Sequence, residues 1–353
     1  MYPLPQSQPY AFNEWYVAAH HAEIGRDLFA RRILDIPIVF YRTEAGEPVA
    51  LYDVCPHRRF PLSKSKLIGD AIQCGYHGFT FDCSGKCVKL PTGQTIPPNY
   101  GVRSFRVVEL GHWIWIWMGD PASVDYSKLP EEQKVSLKIE GFHVAPVTYI
   151  SVKARYLLLH ENLLDLSHLT FLHEDTIGSE GVALAKMEIK TTGQDLEITR
   201  RIRNDNMDGV ALGRMLGVEG LVDRTMAQKF HAPSFHVTGS SFVGAEGSAR
   251  AGHYYGSVRV FHAVTPETPT TTHYFFVPAR DFRVGDTSIL EAEAAHIRSV
   301  INEDIFAAES VETMIDDRSN ASEDLHSRAD TGALKGRLLI QKLIEQELMV
   351  SHP

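Results

Sequence analysis

Residues 55–77 read CPHRRFPLSKSKLIGDAIQCGYH, and they constrain this chain more than any other stretch. Two short loops each offer one cysteine and one histidine: Cys55 with His57, then Cys74 with His77, with sixteen residues between the pairs. Pro56 stiffens the first loop, while Gly75 and Gly78 let the backbone of the second approach whatever is held there. Structural zinc usually takes Cys pairs and His pairs separately, as C-x-x-C followed by H-x₃₋₅-H. Here each loop supplies one of each. That arrangement suits a two-iron, two-sulfide cluster in which two imidazoles replace two thiolates on one iron. The competing readings are a zinc site, or two free cysteines and two satisfied histidines in a β core.

The flanking sequence has the texture of a small antiparallel β domain. FNEWYVAAH, RRILDIPIVFYRT, PVALYDVC, AIQCGYHGFTFD and WIWIWMG are short β-branched or aromatic runs, separated by turn signals such as Glu44-Ala45-Gly46 and Cys83-Ser84-Gly85. The domain is expected to span residues 1–122, ending near Gly119-Asp120-Pro121, with a polar connector through about residue 134. Residues 123–353 alternate between helix and strand patterns. A helix is expected at 156–173, strands at KMEIKTT, DLEITRRIR, YYGSVRVFHAV and TTHYFFVPA, and helices at about 287–317 and 333–349. The fold class is therefore α+β, with helices carried on an antiparallel sheet in the second domain.

With a net charge of -9 the chain has no broad basic footprint, which argues against nucleic acid as a partner. MYPLPQSQPYAFNEW lacks the features of a secretory signal, and no apolar run is long enough to span a bilayer. Four cysteines in 353 residues make no disulfide framework, so a reducing, cytoplasmic setting is expected. Cys83 and Cys87 flank a hairpin turn and are read as packing residues.

A cluster of this kind passes single electrons and does little chemistry itself, so a second centre should exist. The segment HENLLDLSHLTFLH at 160–173 sets Asn162, Asp165 and His168 near one helical stripe. His173 falls five residues after His168, rotated by roughly 140° on an ideal helix, so the helix must end or distort before both imidazoles reach one ion. On the long C-terminal helix, Ile297, Ile301, Asp304, Ala308, Val311 and Ile315 form an apolar stripe with one carboxylate set into it. A buried carboxylate needs a metal or a cation such as Arg298 or Arg155. Two histidines and one carboxylate are the facial triad of non-haem iron(II), which leaves positions open for O₂ and substrate. Packed histidines and an Arg-paired aspartate are the alternative. His160 and Glu303 lie close by without matching the pattern.

CPHR at 55–58, CGYHGFTFD at 74–82 and N-x-x-D-x-x-H-x₄-H at 162–173 closely resemble the Rieske non-haem iron oxygenases, nearest to the vanillate O-demethylase and dicamba monooxygenase group. The likeness runs nearly end to end, strongest over 13–120 and 160–173 and weak over 175–255. Lys64-Ser65-Lys66 is more basic than that loop is elsewhere in the family. The resemblance implies a Rieske 2Fe–2S cluster on Cys55, His57, Cys74 and His77, and a mononuclear Fe(II) on His168, His173 and Asp304. It implies a homotrimer in which Asp165 bridges His77 of one subunit to His168 of its neighbour, with Asn162 beside it. No dinucleotide or plant-type ferredoxin motif is present, so electrons must come from a separate reductase or ferredoxin. The implied activity is O₂-dependent O-demethylation or hydroxylation of a small substituted aromatic acid. Ring dihydroxylation and N-dealkylation are the alternatives, and a non-catalytic Rieske electron carrier is the rival of another class. By resemblance, His262 and Phe235 fall at substrate-pocket positions; a histidine merely satisfied on a sheet is the other reading of His262.

Overall fold

The computed structural model describes residues 3–4, 8–316 and 324–351 of the chain. Residue 317, the expected end of the long helix, lies outside the described residues. The chain divides into two compact units. One comprises Phe12–Ser136 with Thr265–Pro269; the other comprises the described residues up to Ala11, Leu137–Val264, and the described residues from Thr270 onward.

The first unit holds three antiparallel sheets. Trp15–His20, Trp113–Trp117 and Val107–Leu110 form the first, with the WIWIW run in the middle. Phe29–Ile33, Ile36–Arg42, Pro48–Tyr52 and Ser104–Phe105 form the second; Lys66–Ile68, Ala71–Gln73, Thr80–Phe81 and Cys87–Lys89 form the third. RRILDIPIVFYRT, which reads as one run, folds back on itself as a hairpin. Leu34 and Asp35 adopt φ of 49° and 64°, and the paired positive φ values make the tight reversal whose twist suits flanking strands. Val39, Tyr41, Leu51, Ile72 and Phe81 pack around Cys55, Cys74 and Cys87, so the cysteine ends of both loops grow from the core of this unit. Cys83 and Cys87 are free thiols, one exposed and one buried.

The second unit is the expected helix-on-sheet layer. Its eight-stranded antiparallel sheet runs His143–Val144, Thr271–Arg280, Tyr254–Thr268, Phe235–Gly244, Val222–His231, Asp195–Asp205 and Met187–Thr192 in spatial order, with Thr148–Val152 also pairing with Thr271–Arg280. Strand periodicity sends Val222, Arg224, Met226, Gln228 and Phe230 to the buried face. Opposite them in register stand Phe242 (to Arg224), Ser240 (to Met226), Thr238 (to Gln228) and His236 (to Phe230). Helices at Tyr156–Leu164, Leu290–Met314 and Thr331–Ser351 belong to the same unit. Gly332 and Gly336 stand where any Cβ would strike Leu164, so these two glycines let the last helix lie directly on the first. Among the described residues, no helix is long and apolar enough to cross a membrane.

Two expectations need amendment. The helix over 156–173 stops at Leu164, before either histidine. Asp165 is extended (φ −109°, ψ 106°), and its carboxylate accepts from Ser167 N (2.8 Å) and Ser167 Oγ (3.0 Å), starting a separate 3₁₀ turn at Leu166–Thr170. An aspartate two residues before a serine competes with the helix for that backbone N–H. On the long helix, Val300, Ile301, Asp304 and Ala308 are buried, but Val311 is 46% exposed and Ile315 lies past the helix end. The apolar stripe closes at Ala308, about two turns earlier than its sequence suggests.

Candidate active site

In the first unit the two metal-type loops repeat one hydrogen-bonded frame. Cys55 N donates to Phe60 O (2.9 Å) and Arg59 N to Cys55 O (2.8 Å); Cys74 N donates to Phe79 O (2.7 Å) and Gly78 N to Cys74 O (2.9 Å). The residue four after each cysteine is left-handed, Arg59 at φ 59° and Gly78 at φ 75°. Gly75 N donates to Ser65 Oγ (3.1 Å), and Asp53 accepts from Ser63 N and Ser63 Oγ (both 2.6 Å), which ties the loops to their flanks. His57 and His77 are exposed with ring centroids 4.5 Å apart, and His57 stacks on Phe79. The two cysteines are buried beneath them. Burial pushes the Cys55 thiol up to about 11. A thiol so shielded is a poor nucleophile, and a metal is what would displace its proton. Two buried thiols below two adjacent exposed imidazoles fit a cluster whose histidine-bound iron faces outward.

In the second unit, ligand-type atoms of His168, His173 and Asp304 lie within 4.8 Å of one another. His168 Nδ1 donates to the Asp165 carbonyl (2.5 Å), and His173 Nδ1 to Glu303 Oε2 (2.5 Å). A carbonyl or carboxylate only accepts, so each Nδ1 carries a hydrogen and Nε2 is the ring nitrogen that each histidine turns toward Asp304. Those two Nε2 atoms stand 3.6 Å (His168) and 2.9 Å (His173) from Asp304 Oδ1. His173 Nε2 is within hydrogen-bond reach of Asp304 Oδ1, so a proton or a metal cation can bridge the two. The residues present therefore fit a divalent metal with an open face.

The surrounding groups tune this centre. Burial would raise the Asp304 carboxyl, but hydrogen bonding and charge from His173, with His168 and Asn162, hold it below the ordinary aspartate range. Burial lowers His168, whereas Asp304 and Glu303 raise His173 against its own burial. Asn162 Nδ2 donates to Asp304 Oδ1 (2.9 Å). Arg155, the rival partner for Asp304, is taken by Glu312 through contacts of 2.8–2.9 Å. Glu303 is the residue that sequence reasoning set aside. It accepts from His173, from Thr176 Oγ1 (3.2 Å) and from Ser299 Oγ (3.1 Å), the arrangement that orients a metal-bound histidine. The Asp165 carboxylate caps its turn and lies 3.7 Å from the buried Arg200; its main-chain oxygen, not its side chain, meets His168.

A cavity of about 150 Å³ opens from the triad along the inner face of the sheet. Asn162, His168, His173 and Asp304 line it, and Leu166, Met226, Val260 and Phe276 are among its apolar walls. A dry cavity of about this volume holds one benzene ring. His262 lines it, with Nε2 on Thr238 Oγ1 (3.0 Å) and Nδ1 on the Tyr274 hydroxyl (2.8 Å). Burial lowers the His262 imidazole to about 3, so it is neutral. Phe235 is buried but does not line the cavity: on its strand the even-numbered side chains face inward, and 235 is odd. Arg224, also in the wall, carried no sequence motif; the one signal was a cation alternating with apolar residues on a strand.

Comparison with known proteins gives two family models. Residues 14–106 match the Rieske [2Fe-2S] domain, and residues 152–346 match the vanillate O-demethylase oxygenase C-terminal domain. The chain is 35% identical over 351 residues to the iron–sulfur subunit of the toluene-4-sulfonate monooxygenase system of Comamonas testosteroni, covering 95% of this chain and 97% of that one. It is 31% identical to the oxygenase component of dicamba O-demethylase from Stenotrophomonas maltophilia, over 85% of this chain and 87% of the other. Among solved structures, dicamba monooxygenase bound to 3,6-dichlorosalicylic acid superposes with a TM-score of 0.85 at 28% identity, covering 96% of this chain and 99% of that one.

Proposed function

We propose that this chain, which belongs to the Rieske non-haem iron oxygenases with a catalytic domain of the vanillate O-demethylase type, oxidises a small aromatic acid at a methyl or methoxy carbon. It is the oxygenase component of a multicomponent system, and its electrons come from a separate reductase or ferredoxin. In the proposed reaction a methyl compound, O₂, two electrons and two protons give the hydroxymethyl compound and water. One C–H bond breaks, one C–O bond forms, and the second oxygen atom leaves as water. On a methoxy carbon the product is a hemiacetal, which collapses to the phenol and formaldehyde.

The convergence of His168 Nε2 and His173 Nε2 on Asp304 in the lining of a ring-sized cavity carries this reading. His168, His173 and Asp304 would hold the iron, and Cys55, His57, Cys74 and His77 the cluster; the cluster supplies single electrons and the iron activates O₂. The chain does the rest. Asn162 occupies Asp304 Oδ1, Glu303 and the Asp165 carbonyl hold the two imidazoles in register, and the apolar wall keeps water from the reacting carbon. Substrates named for relatives, toluene-4-sulfonate and dicamba among them, support an aromatic ring in the cavity. We place the chain in a homotrimer in which the Asp165 carboxylate, braced by Arg200, links His77 of one subunit to His168 of the next; a fully active monomer in solution would refute that wiring. Supplying the purified protein with a compatible reductase and a panel of methyl- and methoxy-benzoates tests the reaction. Hydroxymethyl products or formaldehyde are expected; ring cis-diols as main products would overturn it.

A further inference from the structure

The cavity wall contains two arginines, and they differ in how firmly their donors are held. Arg280 gives Nε and an NH2 hydrogen to the two oxygens of Glu293 (2.8 and 3.3 Å) and its remaining terminal nitrogen to the carbonyls of Phe282 and Arg283 (2.6 and 2.7 Å). Arg224 is 2% exposed, yet its one close acceptor is the Ile177 carbonyl (3.0 Å). Asp205 Oδ2 stands 3.9 Å from the same NH1 nitrogen. The opposite edge, Nε and NH2, makes only two 3.4 Å contacts, both to the single hydroxyl of Ser240. That edge is the fork that grips an oxyanion bidentately. Two long bonds to one hydroxyl, with Phe242 stacked on the guanidinium at 5.2 Å, leave that edge able to take a stronger acceptor.

The fork sits at a definite place. Ser240, Thr238 and His262 line the same cavity, and Thr238 Oγ1 is bonded to His262 Nε2. Ser240 and Thr238 are two residues apart on one strand face, roughly 7 Å. The lining of this one cavity includes both the His168, His173 and Asp304 group and Arg224. A cavity of about 150 Å³ holds one benzene ring, so an anionic group on Arg224 and an oxidisable carbon at the triad would be carried by a single ring. His262, the pocket residue suggested by resemblance, has both ring nitrogens engaged and no charge to offer.

We propose that Arg224 selects the substrate: its Nε–NH2 edge takes the carboxylate or sulfonate of a single-ring aromatic anion whose oxidisable carbon lies para, toward His168, His173 and Asp304. This rests on the oxygenase reading above. Burial lowers the Arg224 guanidinium to about 10, which leaves it cationic at neutral pH.

The test pairs acids with neutral isosteres: 4-methylbenzoate against 4-methylbenzamide, and toluene-4-sulfonate against toluene-4-sulfonamide. Binding to the holoenzyme is read from protein fluorescence and turnover from kcat/KM with a reductase. The wild-type protein is expected to prefer at least one acid over its amide by about 30-fold, and the pair showing the larger ratio tells carboxylate from sulfonate. Arg224→Gln should abolish the preference, and Arg224→Lys should keep part of it. Because Arg224→Gln strands Asp205, the double variant with Asp205→Asn removes both charges and should abolish the preference in a folded protein. A preference that survives in the double variant overturns the proposal, as do amides used as well as acids by the wild type, and the oxygenase reading stands in both cases. If neither variant folds, the wild-type ratio decides alone. A wild-type protein that oxidises none of the four compounds overturns the aromatic reading as well.

Discussion

The two metal-type sites are built on opposite plans. The cysteine–histidine site comes from two loops within residues 55–77, each closed by the same pair of backbone hydrogen bonds on a buried cysteine. The histidine–carboxylate site joins a 3₁₀ turn at 166–170, the turn after it, and a helix at Leu290–Met314. The first is held by its own backbone. The second is held by side chains reaching across the unit: Glu303 to His173 and Asn162 to Asp304. A local frame should tolerate neighbouring changes and fail only through its ligands, while a side-chain frame should be sensitive to residues that never touch metal.

The largest effect expected on the local side comes from a ligand. Cys74→Ser should remove the visible iron–sulfur absorption and all turnover with electrons from a reductase, while a mononuclear metal remains by metal analysis. Retained colour would break the assignment. On the side-chain frame, Glu303→Gln keeps the size but removes the charge that His173 Nδ1–H meets, and iron affinity should fall about 10-fold to 100-fold with the cluster spectrum unchanged. Titration of the metal-stripped mononuclear site with iron(II) measures it, and unchanged affinity would erase the contrast. The smallest effect belongs to the loop backbone. Gly78→Ala places a Cβ at φ 75°, so thermal unfolding should show a loss of about 1–2 kcal/mol with the cluster still bound. Loss of the cluster instead would mean that the frame is less autonomous than its hydrogen bonds imply.

The same contrast explains what could be read from the residues alone. All four proposed cluster ligands could be picked out because they lie in one short stretch whose spacing survives any global fold. Asp304 was legible because a carboxylate interrupts a helical apolar stripe. Glu303, its neighbour, was set aside because helical position says only that it points about 100° away from Asp304, and nothing local says that His173 waits there. The helix end at Leu164 was missed for a local reason, the competition of the Asp165 side chain for Ser167 N–H. Arg224 was missed because a strand's alternation marks it as inward without saying which cavity it enters. Phe235, by the same alternation, faces away from the cavity that resemblance assigned to it.

The central claim is that a separate mononuclear iron, built on Asp304 with His168 and His173, is where the substrate is oxidised. Asp304→Ala tests it most directly, with iron content, visible spectrum and product formation measured on one preparation. The account predicts that iron falls by one equivalent per chain, that the cluster spectrum and its reduction by a reductase are unchanged, and that product formation is lost. Turnover near the wild-type rate, with iron content unchanged, would contradict it.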